Sequence, residues 1–140
     1  MTSEPPDVDP DHPDYGTFPL RSWMGFDLDT PEPGVAVGTL DVTADHLNPN
    51  GVVHGGVVFA LVDTTMGSAT MSVLDEGNIC ASIEAGIRYL RPITGGRITA
   101  RTEVLRRGRR VVHLTSTVTV DDTDEPSVVA TGSFAVIPLA

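Results

Sequence analysis

One segment limits the folds open to this chain more than any other. Residues 55–74 read GGVVFALVDTTMGSATMSVL, and their apolar side chains fall on no single stripe. Val57, Val58, Leu61, Val62, Met66, Ala69, Met71 and Leu74 spread around a helical wheel, the pattern of a helix buried on all sides. The β-branched residues favour a strand, but about 20 residues exceeds an ordinary strand, so the spacing predicts a helix that stops near DEGN. A helix without a solvent face needs a sheet curled around it. In a chain of 140 residues one sheet cannot cover it completely. A second copy of the chain is the natural remaining cover.

The rest of the sequence supplies that sheet. Strands are predicted through GFDLD, stopped by TPEPG, and through VAVGTLDVT, where β-branched residues are frequent. After the helix, ICASIEAGIRYL alternates cleanly. Ile79, Ala81, Ile83, Ala85, Ile87 and Tyr89 point one way; Cys80, Ser82, Glu84, Gly86, Arg88 and Leu90 point the other. RITARTEVLRR and RVVHLTSTVTV read as a hairpin joined at RGR, and SVVATGSFAVI closes the chain after DDTDEP. LRSWMGF reads as a short helix or turn that tucks Trp23 onto the body. Residues 1–19 are Pro- and Asp-rich and read as a flexible tail ahead of one domain over residues 20–140. No internal repeat is present.

Composition narrows the function classes. A formal net charge of -10 argues against non-specific nucleic-acid binding. No apolar run reaches membrane-spanning length, because Asp63 interrupts the best candidate. The acidic start lacks the basic and apolar regions of a secretory signal, so the expected location is the cytoplasm. Every basic residue is Arg, and all but Arg21 lie between Arg88 and Arg110. An acidic surface suits a high-salt cytoplasm; Arg in place of Lys equally suits a GC-rich genome. Cys80 has no cysteine partner and no zinc-type spacing, and reads as a small core residue.

The chemistry sits where the helix begins. HLNPNGVVHGGVVFALVD places Asn48, Gly51, His54, Gly55 and Gly56 before the apolar run and Asp63 inside it. A buried carboxylate is costly unless it is paired or its pKa moves. A helix N-terminus offers free N–H groups and a positive dipole end, and glycine lets a ligand approach that backbone closely. Asp63 lies eight residues past Gly55, about 12 Å along a helix axis, too far for both to reach one carbonyl. A site using both therefore straddles two subunits. Each residue also has a plainer reading: a helix carboxylate for Asp63, a helix-start residue for His54, packing for Gly55 and Gly56, turn capping for Asn48 and Asn50.

NPNGVVHGGVVFALVDTTMGSA resembles the N-x-x-G-x-x-H-G-G…D signature of hotdog-fold acyl-CoA thioesterases of the phenylacetate-pathway, PaaI-like type. The resemblance runs from about Leu20 to Ile137 and takes in SIEAGIRYLRP and RRGRR. It implies an α+β hotdog fold, an antiparallel sheet wrapped around one long helix, assembled as homodimers and plausibly homotetramers. It also implies hydrolysis of acyl-CoA without metal or added cofactor, coenzyme A being part of the substrate. By position, Asp63 matches the catalytic carboxylate, a general base or a nucleophile. Gly55 matches the residue whose N–H polarises the thioester carbonyl. Asn48 matches the Asn that orients the reacting group, and Ser82, after a one-residue adjustment, a polar position that places water.

His54 joins these as a catalytic candidate, in reach of the substrate carbonyl, and the substrate-binding candidates are Gly56, Phe59, Arg88 and the turn of Arg107, Gly108 and Arg109. Arg106, Arg107, Arg109 and Arg110 around Gly108 suit the phosphates of CoA; they also suit a solvated turn balanced by Asp121, Asp122 and Asp124. Arg91 is a further candidate on the strand end that carries Arg88. Two other functions stand beside hydrolysis. One is a hotdog hydratase or dehydratase pairing His54 with Asp63, and the other is a non-catalytic acyl-CoA-binding module. No nucleic-acid or membrane partner is expected.

Overall fold

The computed structural model describes residues 18–139. The expected tail over residues 1–19 lies outside them except at its end, where Pro19 opens a short helix, α1 (Pro19–Met24). There follow β1 (Phe26–Glu32), β2 (Val35–Asp41), the long helix α2 (Gly55–Met71), β3 (Asn78–Tyr89), β4 (Arg97–Arg107), β5 (Val111–Val120) and β6 (Val128–Pro138). The strands form one six-stranded sheet in the order β1-β2-β4-β5-β6-β3, antiparallel at every pairing. The sheet curls around α2, the α+β hotdog arrangement expected above. No described helix is long and apolar enough to cross a membrane.

The core forms where α2 presses on the concave face of the sheet. Leu61, Val62, Met66 and Ala69 meet Ile98, Ala100, Leu114, Val118 and Phe134, all buried. Two threonines enter this core because a helix offers their hydroxyls a local acceptor: Thr65 donates to the Leu61 carbonyl at 2.6 Å and Thr70 to that of Met66 at 2.9 Å. Thr102 and Ser116 pair across β4 and β5 at 2.9 Å.

Glycines in the sheet make the notch for the helix. A Cβ on Gly38 would lie 2.3 Å from Thr65 Oγ1 and 2.9 Å from Leu61 Cδ1. One on Gly132 would lie 2.5 Å from Met66 Sδ. Gly38 explains the imperfect alternation of VAVGTLDVT: the position faces the core, and its missing side chain is what admits the helix. Gly38→Ala is expected to destabilise the fold by about 1–3 kcal/mol through overpacking. Urea unfolding would measure this, and an unchanged midpoint would show that α2 can shift to make room.

Several expectations are corrected. The short helix forms, but Trp23 is 83% exposed and Met24 is the residue that packs inward. Six residues present one narrow inner face, and Met24 occupies it just before the left-handed Gly25 ends the helix. The first strand does not stop at TPEPG but continues to Glu32, because an edge strand tolerates Pro31 and a register shift between Asp29 and Glu32 absorbs it. As expected for so small a chain, the sheet does not cover the long helix completely. Its Gly56, Phe59 and Met71 positions are exposed and Asp63 half-buried, so one face lies uncovered between the two edge strands. On β3 the single alternation fails. A bulge between Ser82 and Glu84 inserts Ile83 and switches faces, so Cys80 and Ser82 face the helix before it, and Ala85, Ile87 and Tyr89 after it.

Candidate active site

The turn before α2 is built from the side chains singled out in the sequence. Asn48 Oδ1 accepts from Asn50 N–H at 2.9 Å and from Val52 N–H at 3.3 Å, and Gly51 takes φ 75° to close the turn. The side-chain carbonyl of Asn48 therefore shapes the loop that leads into the helix. His54 is the N-cap: its Nδ1 accepts from Gly56 N–H at 2.8 Å.

The four orphan donors of this helix start can be followed one by one. His54 N–H goes to the His46 carbonyl at 2.8 Å, Gly56 N–H to His54 Nδ1, and Val57 N–H to the His54 carbonyl at 2.9 Å. Among the described residues nothing accepts from Gly55 N–H. One donor at the positive end of a 17-residue helix is left open to a ligand. Gly55 is also a glycine for a packing reason, since a Cβ there would lie 3.1 Å from the ring and the hydroxyl of Tyr89. Beside it is a pocket of about 260 Å³ between the helix start and the end of β3, lined by Val52, Val58, Tyr89 and Ile93.

Two turns further on, Asp63 accepts from Ser82 Oγ at 2.7 Å. The carboxylate and the hydroxyl open onto a second cleft of about 840 Å³ on the uncovered side of α2, with Leu28, Gly67, Met71 and Phe134 in its walls. Cys80, half-buried, packs against the core and also lines this cleft, with its thiol 3.8 Å from the Gly67 carbonyl. Burial, and then the Asp63 charge, push the Cys80 thiol above its ordinary pKa, so the reactive thiolate is disfavoured. Within one chain the open N–H and the carboxylate remain about 12 Å apart along the axis.

The arginine candidates separate. Arg107 folds back: its guanidinium donates to the carbonyls of Val73, Gly108 and Arg109, holding the hairpin against the end of α2. It was expected to meet phosphate; here the Val73 carbonyl beyond the end of α2 and two carbonyls of its own turn take its donors. Gly108 is required by the turn, where a Cβ would lie 2.5 Å from the Val111 carbonyl. Arg106, Arg109 and Arg110 are exposed and form no ion pair among the described residues, whereas Arg91, Arg97 and Arg101 each do. Asp121, Asp122 and Asp124 do not balance this turn. They follow β5 at its other end, about 33 Å away by strand rise, and Asp121 accepts from Arg97 N–H there. Arg88 points to the opposite side of the sheet from its neighbour Tyr89, away from α2. Phe59 stands on the uncovered face one turn before Asp63.

Two residues were missed in the sequence. His46 is buried; its Nδ1 accepts from Thr43 N–H at 2.9 Å, and its Nε2 donates to the Met24 carbonyl at 2.7 Å. It thus ties the end of α1 to the loop before α2. The visible signal was the three-residue spacing from Thr43, a capping box with His in place of Glu. Tyr89 is the other; its hydroxyl donates to the Gly55 carbonyl at 2.6 Å. Among the described residues no group of three or more His, Cys, Asp or Glu side chains converges as a metal site.

In sequence and in fold the chain is similar to known proteins. The sequence pattern of the thioesterase superfamily matches residues 50–127. Acyl-coenzyme A thioesterase PaaI of Escherichia coli is 34% identical over 100 residues, covering 71% of this chain and 69% of that protein. The structure of thioesterase HI1161 of Haemophilus influenzae superposes with a TM-score of 0.80 at 26% identity, over 86% of this chain and 83% of that one. That of the phenylacetic acid degradation protein PaaI of Thermus thermophilus gives 0.76 at 26% identity, over 84% and 98%.

Proposed function

The chain belongs to the thioesterase superfamily, as a PaaI-like hotdog thioester hydrolase, and from that premise we propose that it hydrolyses acyl-CoA to a free acid and CoA at a site shared by two subunits. What carries this reading is the arrangement on α2: one open N–H at the helix start, and a carboxylate–hydroxyl pair two turns along on the uncovered face. The Gly55 N–H of one subunit binds the thioester oxygen as it gains negative charge. Asp63 of the other takes a proton from water as the water attacks and passes it to the departing sulfur, or itself attacks the carbonyl carbon to form a mixed anhydride that water then hydrolyses, the thiolate taking its proton from water. In either case the C–S bond breaks and CoA leaves as the thiol. Ser82 holds Asp63 in position, and Asn48 shapes the loop that presents the helix start. No cofactor is needed. A homodimer, or a homotetramer of two such dimers, covers the exposed helix face and brings the two halves together. His54 suits hydratase chemistry poorly, because its Nδ1 already caps the helix.

The test is release of free thiol from a panel of aryl- and alkyl-CoA substrates, with hydration of an enoyl-CoA as the contrast. Turnover of the enoyl-CoA without thiol release would overturn the assignment. The same assay tests the arginine turn. Arg109→Ala with Arg110→Ala is expected to raise KM for acyl-CoA by about tenfold with kcat nearly constant, the signature of lost uniform binding. A short thioester without the nucleotide should be unaffected. Equal damage to both substrates would show that the turn serves only the fold.

A further inference from the structure

We propose that Tyr89 is a positioning residue for the reaction: it clamps the first turn of α2 and thereby sets the direction of the Gly55 N–H. The inference rests on the proposed role of that N–H as the donor to the thioester oxygen.

Glycine at both Gly55 and Gly56 leaves the start of α2 without the backbone restriction a side chain would bring. A donor meant for a developing oxyanion must be fixed before the reaction, since reorganising it during the step removes its advantage. Something outside the helix therefore has to hold this turn. On one side His54 Nδ1 holds Gly56 N–H. On the other, Tyr89 donates to the Gly55 carbonyl at 2.6 Å, and its ring tip would lie 3.1 Å from a Cβ at Gly55. The hydroxyl holds the peptide that follows the Gly55 α-carbon and the ring tip crowds that α-carbon, so the peptide that carries the open N–H is held from its next-door neighbour.

The route by which Tyr89 gets there supports a dedicated role. Ser82 and Tyr89 lie seven residues apart on β3, so a regular strand would put them on opposite faces. The bulge at Ile83 puts both on the helix side. A single strand then braces both functional points of α2, Asp63 through Ser82 and Gly55 through Tyr89.

The experiment compares wild type with Tyr89→Phe, which keeps the ring and removes the hydroxyl. Steady-state hydrolysis of acyl-CoA is expected to show kcat lowered by about three- to tenfold with KM unchanged, the range of one lost neutral hydrogen bond. Hydrogen–deuterium exchange is expected to speed up by a similar factor over residues 55–60 and to stay constant in β4 and β5. Wild-type kcat in the variant overturns the proposal, whether or not exchange changes. So does a rise in KM alone, which would make the hydroxyl a substrate contact. Absence of thiol release from the wild-type protein would count against the enzyme reading itself. The exchange arm then decides the clamp alone, and unchanged exchange overturns it.

Discussion

Asp63→Asn is expected to lower kcat on acyl-CoA by roughly 10²–10⁴-fold, the range for a positioned acid–base group. The substitution keeps the size and shape of the side chain. Ser82 Oγ, now 2.7 Å from the carboxylate, can donate to the amide oxygen instead, so the local packing survives. Folding and binding of acyl-CoA should therefore persist, as read by thermal melting and by titration of a non-hydrolysable analogue. The loss then belongs to the chemical step, whether Asp63 acts as base or nucleophile. A variant within threefold of wild-type kcat, well below that range, would make Asp63 a structural carboxylate held by Ser82.

Mixing two inactive variants should restore activity. One subunit carries Asp63→Asn and the other Gly55→Val, whose branched side chain closes the approach to the N–H and crowds Tyr89. Gly55 and Asp63 sit about 12 Å apart on one helix, so in the proposed shared site the donor comes from one subunit and the carboxylate from the other. In a mixed dimer one site then holds both defects and the other holds neither. Random exchange makes about half of the dimers mixed, so about a quarter of wild-type activity should return. Mass spectrometry of the mixture would establish the exchange. Confirmed mixed dimers with activity at the parental level would show that Asp63 works within its own chain. A monomeric mass in active buffer would remove the shared site altogether.

The register of the site is legible in the amino-acid sequence. Asn48, His54, Gly55, Gly56 and Asp63 are close along the chain, and turn and helix geometry are local. Chain spacing alone therefore puts the glycines at the helix start and Asp63 two turns along. The pairing of Ser82 with Asp63 is not legible there: the family resemblance marks Ser82 as a position that places water, and a hydrogen bond between a strand and a helix has no local signature. The arginine turn is half legible. Its clustering is a sequence property; which guanidinium folds back onto the Val73 carbonyl depends on where the end of α2 meets the hairpin.

The sequence by itself determined the helix, the strands around it and the order of the motif, because each follows from periodicity, glycine placement and turn residues within a few positions. It also showed that one sheet could leave that helix incompletely covered, since a small domain has too little surface to wrap it. Only the tertiary structure decided which face stays open, and that Gly55 N–H alone among the four orphan donors keeps no partner among the described residues. It alone showed that a bulge at Ile83 turns both Ser82 and Tyr89 toward the helix. The physical reason is the two-residue period of a strand. Alternation is read from the chain, but one inserted residue reverses every side chain beyond it, and its position is set by pairing with β6 rather than by β3 alone.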